Sequence, residues 1–278
     1  MKIAYFGYDP LSSCLDVFLK QGHQFEVIYT GEISIYSDKV IQFAQKNDIN
    51  ICFSKPSIIN MQNLVEQGVE LFYSAEYPWM IPIPADLKYA INVHPTLLPE
   101  GRGMTPLPHL ILKKSSYAGI TMHKLSNEFD TGDVLLQKPI SLDEDETFDS
   151  LSAKIFQQTP ALLFTLLSDL DDYYKNSQAQ GEGSCWPAIT LGQQTLDWQQ
   201  PTVQLLTTLN AFGSLGTYAD IAGKACLITS SSTANGRCYQ HDYRAGQVLI
   251  DNEQHITVAT IDGELCFLKE SLLLQSLN

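Results

Sequence analysis

Between Ile91 and Pro106 the chain reads INVHPTLLPEGRGMTP, and several groups able to do chemistry fall close together there. The imidazole of His94 titrates near neutrality and can carry a proton in either direction. The side-chain amide of Asn92 can donate hydrogen bonds to developing negative charge. Arg102 is the only arginine in the first 236 residues. Pro95 biases His94 toward an extended conformation, so Asn92 and His94 close a strand. Gly101 and Gly103 then leave the following loop flexible. A strand end with a titratable His, a donor-bearing Asn and a flexible loop is what a site at a sheet edge requires. A lone Asn-x-His is nevertheless more often a hydrogen-bonded structural histidine beside a turn, so these residues alone leave both readings open.

The elements that must position this segment alternate in type. KIAYFGY from Lys2, FEVIYT from Phe25, INICF, ELFYSAEY and YAINVH read as strands. Between them, Leu11 to Gly22, Asp38 to Asn47 and Ile58 to Gln67 read as helices. Strands alternating with helices predict a doubly wound α/β domain with a mostly parallel sheet, in which ligands bind beyond the carboxyl ends of the strands. The first strand runs into GYDPLSSC, with one glycine where a dinucleotide fingerprint needs three, so a common NAD enzyme is disfavoured. Exposed amides at Ser12 and Ser13 would suit an anion, although most helix starts bind only water. Gly119 to Gln137 reads as two strands about a turn, and Thr147 to about Asn176 as a long amphipathic helix that Pro160 would kink. The polar stretch KNSQAQGEGS from Lys175 is the best linker. Short β runs follow it and predict a small barrel or sandwich. The expected division is residues 1–178, an α/β catalytic domain, and 179–278, a small β-rich, barrel-like domain.

Composition narrows the function further. Hydrophobic residues make up 44% and charged residues 17%, as in soluble globular proteins. No apolar run approaches the roughly 20 residues a membrane span needs, and the start lacks the pattern of a secretory signal, so a cytoplasmic location is expected. The net charge is −14 and the arginines number three, Arg102, Arg237 and Arg244. Gripping a polyphosphate needs clustered Lys and Arg, so nucleic acid and anionic membranes are disfavoured partners. The six cysteines are scattered without C-x-x-C spacing, and they build neither a zinc site nor a disulfide framework.

The motifs taken together carry more than any one of them. NVHPTLLPEGRG, then Gly119, Thr121 and His123 as Gly-x-Thr-x-His, then Asp130 and Gly132 in EFDTGD, resemble the signature of the 10-formyl-tetrahydrofolate-dependent formyltransferases. The resemblance covers roughly residues 1 to 170 in arrangement, and it implies the co-substrate 10-formyl-tetrahydrofolate and no metal. Amine attack on a formyl carbon creates an oxyanion and a cationic nitrogen. The resemblance assigns oxyanion stabilisation to Asn92, proton shuttling to His94, and orientation of His94 or of a water to Asp130. It places the folate between Tyr77, Met80, Ile81 and Pro82 on one side and Asn127, Phe129 and Asp133 on the other. His123 alternates with Met122 in a strand, a pattern that favours a structural role. The acidic run Asp143–Glu146 reads as a solvated helix start.

Within that family the chain is most similar to the nucleotide-sugar N-formyltransferases of the amino-arabinose and dideoxy-aminosugar type. FGYDPLSSCLDVF, the Ser-x-x-Tyr of Ser74 and Tyr77, and GSCWPAITLGQQTLDW carry that likeness. It implies a dTDP- or UDP-linked aminosugar substrate held by Tyr8, Ser74 and Arg102, with a homodimer as an expectation from relatives. Glu100 and Gly101 depart from the Lys-Tyr of those relatives. Formylation of another small amine of the hydroxyornithine kind, formylation of methionyl-tRNA, and a non-catalytic folate-binding module stay open as alternatives.

Overall fold

A computed structural model describes residues 1–34, 36–229 and 235–274. Seven strands form the main sheet: β1 (Lys2–Gly7), β2 (Gln24–Tyr29), β3 (Asn50–Cys52), β4 (Val69–Ala75), β5 (Tyr89–Thr96), β6 (Ala118–Lys124) and β7 (Val134–Pro139). Their order is β3-β2-β1-β4-β5-β6-β7. β1 to β5 pair in parallel, and β6 and β7 add antiparallel. The strand order reverses between β1 and β4, which makes the doubly wound topology expected from the sequence.

β1 and β4 are buried along nearly their whole length, which is why they read as continuous apolar runs and not as alternating ones. One face packs Phe6, Phe72, Tyr29 and Tyr77 with Met61 and Leu64 of α3 (Ile58–Glu66). On the other face Tyr73 stacks at 6.0 Å on Tyr5 and meets Phe18 of α1 (Ser13–Lys20) edge-on at 5.1 Å. α2 (Asp38–Lys46) is tied to the turn after β1, where Asp9 Oδ1 accepts the Val40 N–H at 2.9 Å.

The later helices are α4 (Pro106–Leu112), α5 (Phe148–Ser168, with Pro160 inside it), α6 (Leu170–Lys175) and α7 (Thr202–Phe212). The long helix expected to reach Asn176 is interrupted at Asp169. The carboxyl-terminal strands are β8 (Thr217–Ile221), β9 (Lys224–Ile228), β10 (Asn235–Cys238), β11 (Val248–Asp251), β12 (His255–Ala259), β13 (Gly263–Leu268) and β14 (Leu272–Leu274). They form two antiparallel sheets, β10-β13-β12-β11 and β14-β9-β8, and no pairing closes them into one barrel among the described residues. Leu205 and Leu209 of α7 share a core with Ala219, Ile228, Val258, Leu265 and Phe267.

Two compact units emerge. One holds Met1–Pro106, Tyr117–Ser141 and Ala153–Trp186, and the other holds Leu107–Ser116, Leu142–Ser152 and Pro187–Asn278. The polar stretch after Lys175 pairs with the first unit's own sheet, where Gln178 and Val134 exchange both backbone hydrogen bonds at 2.8 Å.

Candidate active site

β5 and β6 pair so that Asn92 lies opposite His123 and His94 opposite Thr121. Side chains two apart on a strand share a face, so Asn92, His94 and His123 are brought together by register. Asp130 completes the group from the turn after β6, with φ at +59°, a left-handed conformation that Asp tolerates better than most residues. Gly132 holds that turn against β6, since a Cβ there would strike the Lys124 carbonyl.

Asp130 is the hub. Its Oδ1 lies 3.4 Å from His94 Nδ1, 3.6 Å from His123 Nε2 and 3.4 Å from Asn92 Nδ2. Its Oδ2 accepts the Gly103 N–H at 3.0 Å. His94 Nε2 donates to the Gly101 carbonyl at 2.9 Å, which leaves the lone pair of the neutral ring at Nδ1, facing Asp130. A proton added there is held between imidazole and carboxylate. His123 Nδ1 donates to the Lys124 carbonyl at 2.8 Å, so its Nε2 accepts one N–H of Asn92 at 3.1 Å. Among the described residues, the other Asn92 N–H has only the longer contact to Asp130.

Burial pushes the His94 pKa down, and the Asp130 charge and the Gly101 carbonyl recover only part of that shift. Burial also pushes the Asp130 carboxyl up, but the imidazoles of His123 and His94 and the Gly103 N–H outweigh it and hold the group below its ordinary range. At neutral pH the pair is therefore a neutral base beside a carboxylate ready to pair with its conjugate acid.

Arg102 reaches this centre indirectly. Its Nε and Nη2 grip Gln180 Oε1 at 3.0 and 2.8 Å, and Nη2 also donates to the Gly181 carbonyl at 3.2 Å. Gln180 Nε2 in turn donates to the carbonyls of Asp130 and Gly132 at 2.9 and 2.7 Å.

The remaining expected residues lie on flanking segments. Tyr77 and Ile81 are buried in the sheet core, and the Tyr77 hydroxyl is buried without a hydrogen bond among the described residues. Met80 and Pro82 are half-buried, while Asn127 and Phe129 are exposed on the loop before Asp130. Asp133 pairs with Lys124 at 3.4 Å and accepts from Ser177 at 3.1 Å. Ser74 is buried on β4, in register with Phe6 and Asn92, and the half-buried Tyr8 sets its phenol against Gly31. A cavity of about 660 Å³ at the start of α1 is lined by Asp9, Ser12, Ser13, Tyr36, Lys39 and Phe156, among others.

Sequence reasoning passed over three members of the network. His123 was visible in Gly-x-Thr-x-His, but alternation alone gave it a structural role. The Gly103 amide and Gln180 had no signal, since neither residue type stands out in a glycine-rich loop or a polar stretch.

An amide, two imidazoles and a carboxylate are thus gathered at the carboxyl edge of a doubly wound sheet, where ligands of such sheets bind. A formyl transferase model matches residues 57–167, and a formyl transferase C-terminal domain model matches residues 188–272. The chain belongs to the formyl transferase family. A methionyl-tRNA formyltransferase from Coprothermobacter proteolyticus is 28% identical over 242 residues, covering 82% of this chain and 79% of its own length. The N-formyltransferase of Helicobacter canadensis, solved with folinic acid and dTDP-3-aminofucose, matches with a TM-score of 0.70 at 15% identity, covering 96% of this chain and 98% of that one. HypX from Aquifex aeolicus, solved with tetrahydrofolic acid, matches with a TM-score of 0.67 at 19% identity. That match covers 96% of this chain but 43% of HypX, so this chain spans less than half of that relative's length.

Proposed function

We propose that this chain transfers the formyl group of 10-formyl-tetrahydrofolate to the amine of a nucleotide-linked aminosugar. The observation that carries the reading is the convergence of Asn92 and His94 on Asp130, each at 3.4 Å from its Oδ1. As the amine attacks, the formyl oxygen becomes an oxyanion, and the loosely held N–H of Asn92 turns to it. The nitrogen becomes cationic and passes its proton to His94 Nδ1, where Asp130 stabilises the imidazolium. The carbon–nitrogen bond to the folate then breaks as His94 returns the proton to the departing nitrogen. The folate lies between the 77–82 and 127–133 segments. Asn127 and Phe129 are open to it, and Tyr77 and Ile81 brace the first segment from within.

The sugar acceptor is supported by the fold shared with a dTDP-aminosugar enzyme over nearly the full length of both chains. It is also supported by the net charge of −14, which opposes a polyanionic substrate. A second reading, methionyl-tRNA as acceptor, is favoured by the sequence relatives. Incubating the protein with 10-formyl-tetrahydrofolate and either dTDP- and UDP-aminosugars or methionyl-tRNA, at low and high salt, separates the two. Formylated sugar nucleotide and no salt-sensitive tRNA turnover are expected, and efficient tRNA formylation would overturn the sugar reading.

A further inference from the structure

Glu76 is a charge that the centre described above does not use. It is the first residue past β4, where Ala75 pairs with Gly7 on one side and Val93 on the other. His94 follows Val93 on β5, so Glu76 and His94 each lie one residue beyond that pair at the carboxyl edge. Its backbone is left-handed, with φ at +59°. That conformation is uncommon for a residue other than Gly, Asn or Asp, and such residues cluster at functional sites. The residue keeps part of its surface open to solvent, and among the described residues no lysine, arginine or hydrogen-bond donor is paired with it. The strand ends around it displace enough water to raise its pKa, and the Asp130 carboxylate, near enough to repel it, raises it further. The same negative charge is felt by the phenol of Tyr5, on β1. An unpaired carboxylate beside a second carboxylate is an unfavourable arrangement until a cation arrives.

We propose that Glu76 is a specificity-determining residue that binds the acceptor's amine in its ammonium form and aims it at the formyl carbon. The proposal rests on the formyl-transfer reading and sharpens it, because it makes the acceptor a basic primary amine and excludes hydroxyl and amide nucleophiles. A cation set between Glu76 and Asp130 relieves their repulsion, so the site attracts the group it must deprotonate. Loss of one proton to water, through the open side of Glu76, leaves the free amine within reach of His94.

The test uses the full chain with dTDP-3-aminofucose as acceptor, the same sugar nucleotide with a hydroxyl in place of the amine as inhibitor, and folinic acid as the folate probe. Glu76→Gln keeps the size and the open position, and a thermal melt confirms folding. The variant should raise KM for the aminosugar at least tenfold, leave the inhibition constant of the hydroxyl analogue within twofold, and leave folinic acid affinity unchanged. Glu76→Asp should restore part of the loss. An unchanged aminosugar KM in Glu76→Gln overturns the role of Glu76 and leaves the formyl-transfer reading intact. Absence of turnover by the unaltered protein with this and every other amine tried would overturn the formyl-transfer reading, and this inference with it.

Discussion

Replacing Asp130 with Asn removes one charge and keeps the shape, so it isolates what the carboxylate contributes. His94 Nδ1 and Asp130 Oδ1 are 3.4 Å apart, and both residues are more than nine-tenths buried. With each charge delocalised over its group, the effective separation is about 4 Å, which at an effective dielectric of about 20 gives about 4 kcal/mol. That stabilisation exists only while His94 is protonated, so it acts on the step in which the attacking amine loses its proton. At about 1.4 kcal/mol per factor of ten, kcat should fall roughly a thousandfold. The Asn amide also donates to the Nδ1 lone pair and blocks the base, which works in the same direction. The Gly103 N–H can still be accepted by the Asn oxygen, so the loop stays in place and KM for the folate should move little. Steady-state kinetics with separate kcat and KM, alongside a thermal melt, make the assay. A folded Asp130→Asn enzyme with kcat within tenfold of the parent would refute the hub role.

Four further outcomes follow from the same geometry. Asn92→Ala should lower kcat by roughly a hundred- to a thousandfold, as loss of one oxyanion donor does, with folinic acid binding, followed by calorimetry, unchanged. The His94 ring should titrate below the ordinary His value of about 6.5 in an NMR pH series, because burial favours the neutral form. The sign for stability follows: this group's contribution is fully present above about pH 6.5 and is lost as the pH falls toward the lower folded value, which a denaturation series across that window would record. Gln180→Ala removes the donor shared by the Asp130 and Gly132 carbonyls, and it should cut kcat about tenfold with little change in KM, as a misplaced catalytic group does. Gly132→Ala should lower the melting temperature by several degrees, since its Cβ meets the Lys124 carbonyl and strain of this kind costs on the order of 1–3 kcal/mol.

Much of the sheet was legible because its central strands are buried on both faces and flanked by helices with clear starts and stops. α4 escaped notice because its sequence, PLPHLIL, holds two prolines, although a proline at a helix start costs nothing. The break at Asp169 was hidden because apolar spacing continues on either side of it. β8, β10 and β14 are short and weakly patterned, and β10 is exposed along its whole length. The run Asn92, His94 and Asp130 was legible through its motif. The place of His123 beside them was not, since only the antiparallel register of β5 and β6 sets it against Asn92. Glu76 carries no motif, and its significance depends on a left-handed backbone and on the nearness of Asp130, neither of which spacing reveals.

The most direct measurement is a crystal structure of the protein with folinic acid. The pteridine should lie between the 77–82 and 127–133 segments, with the formyl group reaching Asn92 and His94 at about 3–3.5 Å, as a reacting centre requires. A folate bound elsewhere, or a formyl group turned away from both side chains, would contradict the proposed function.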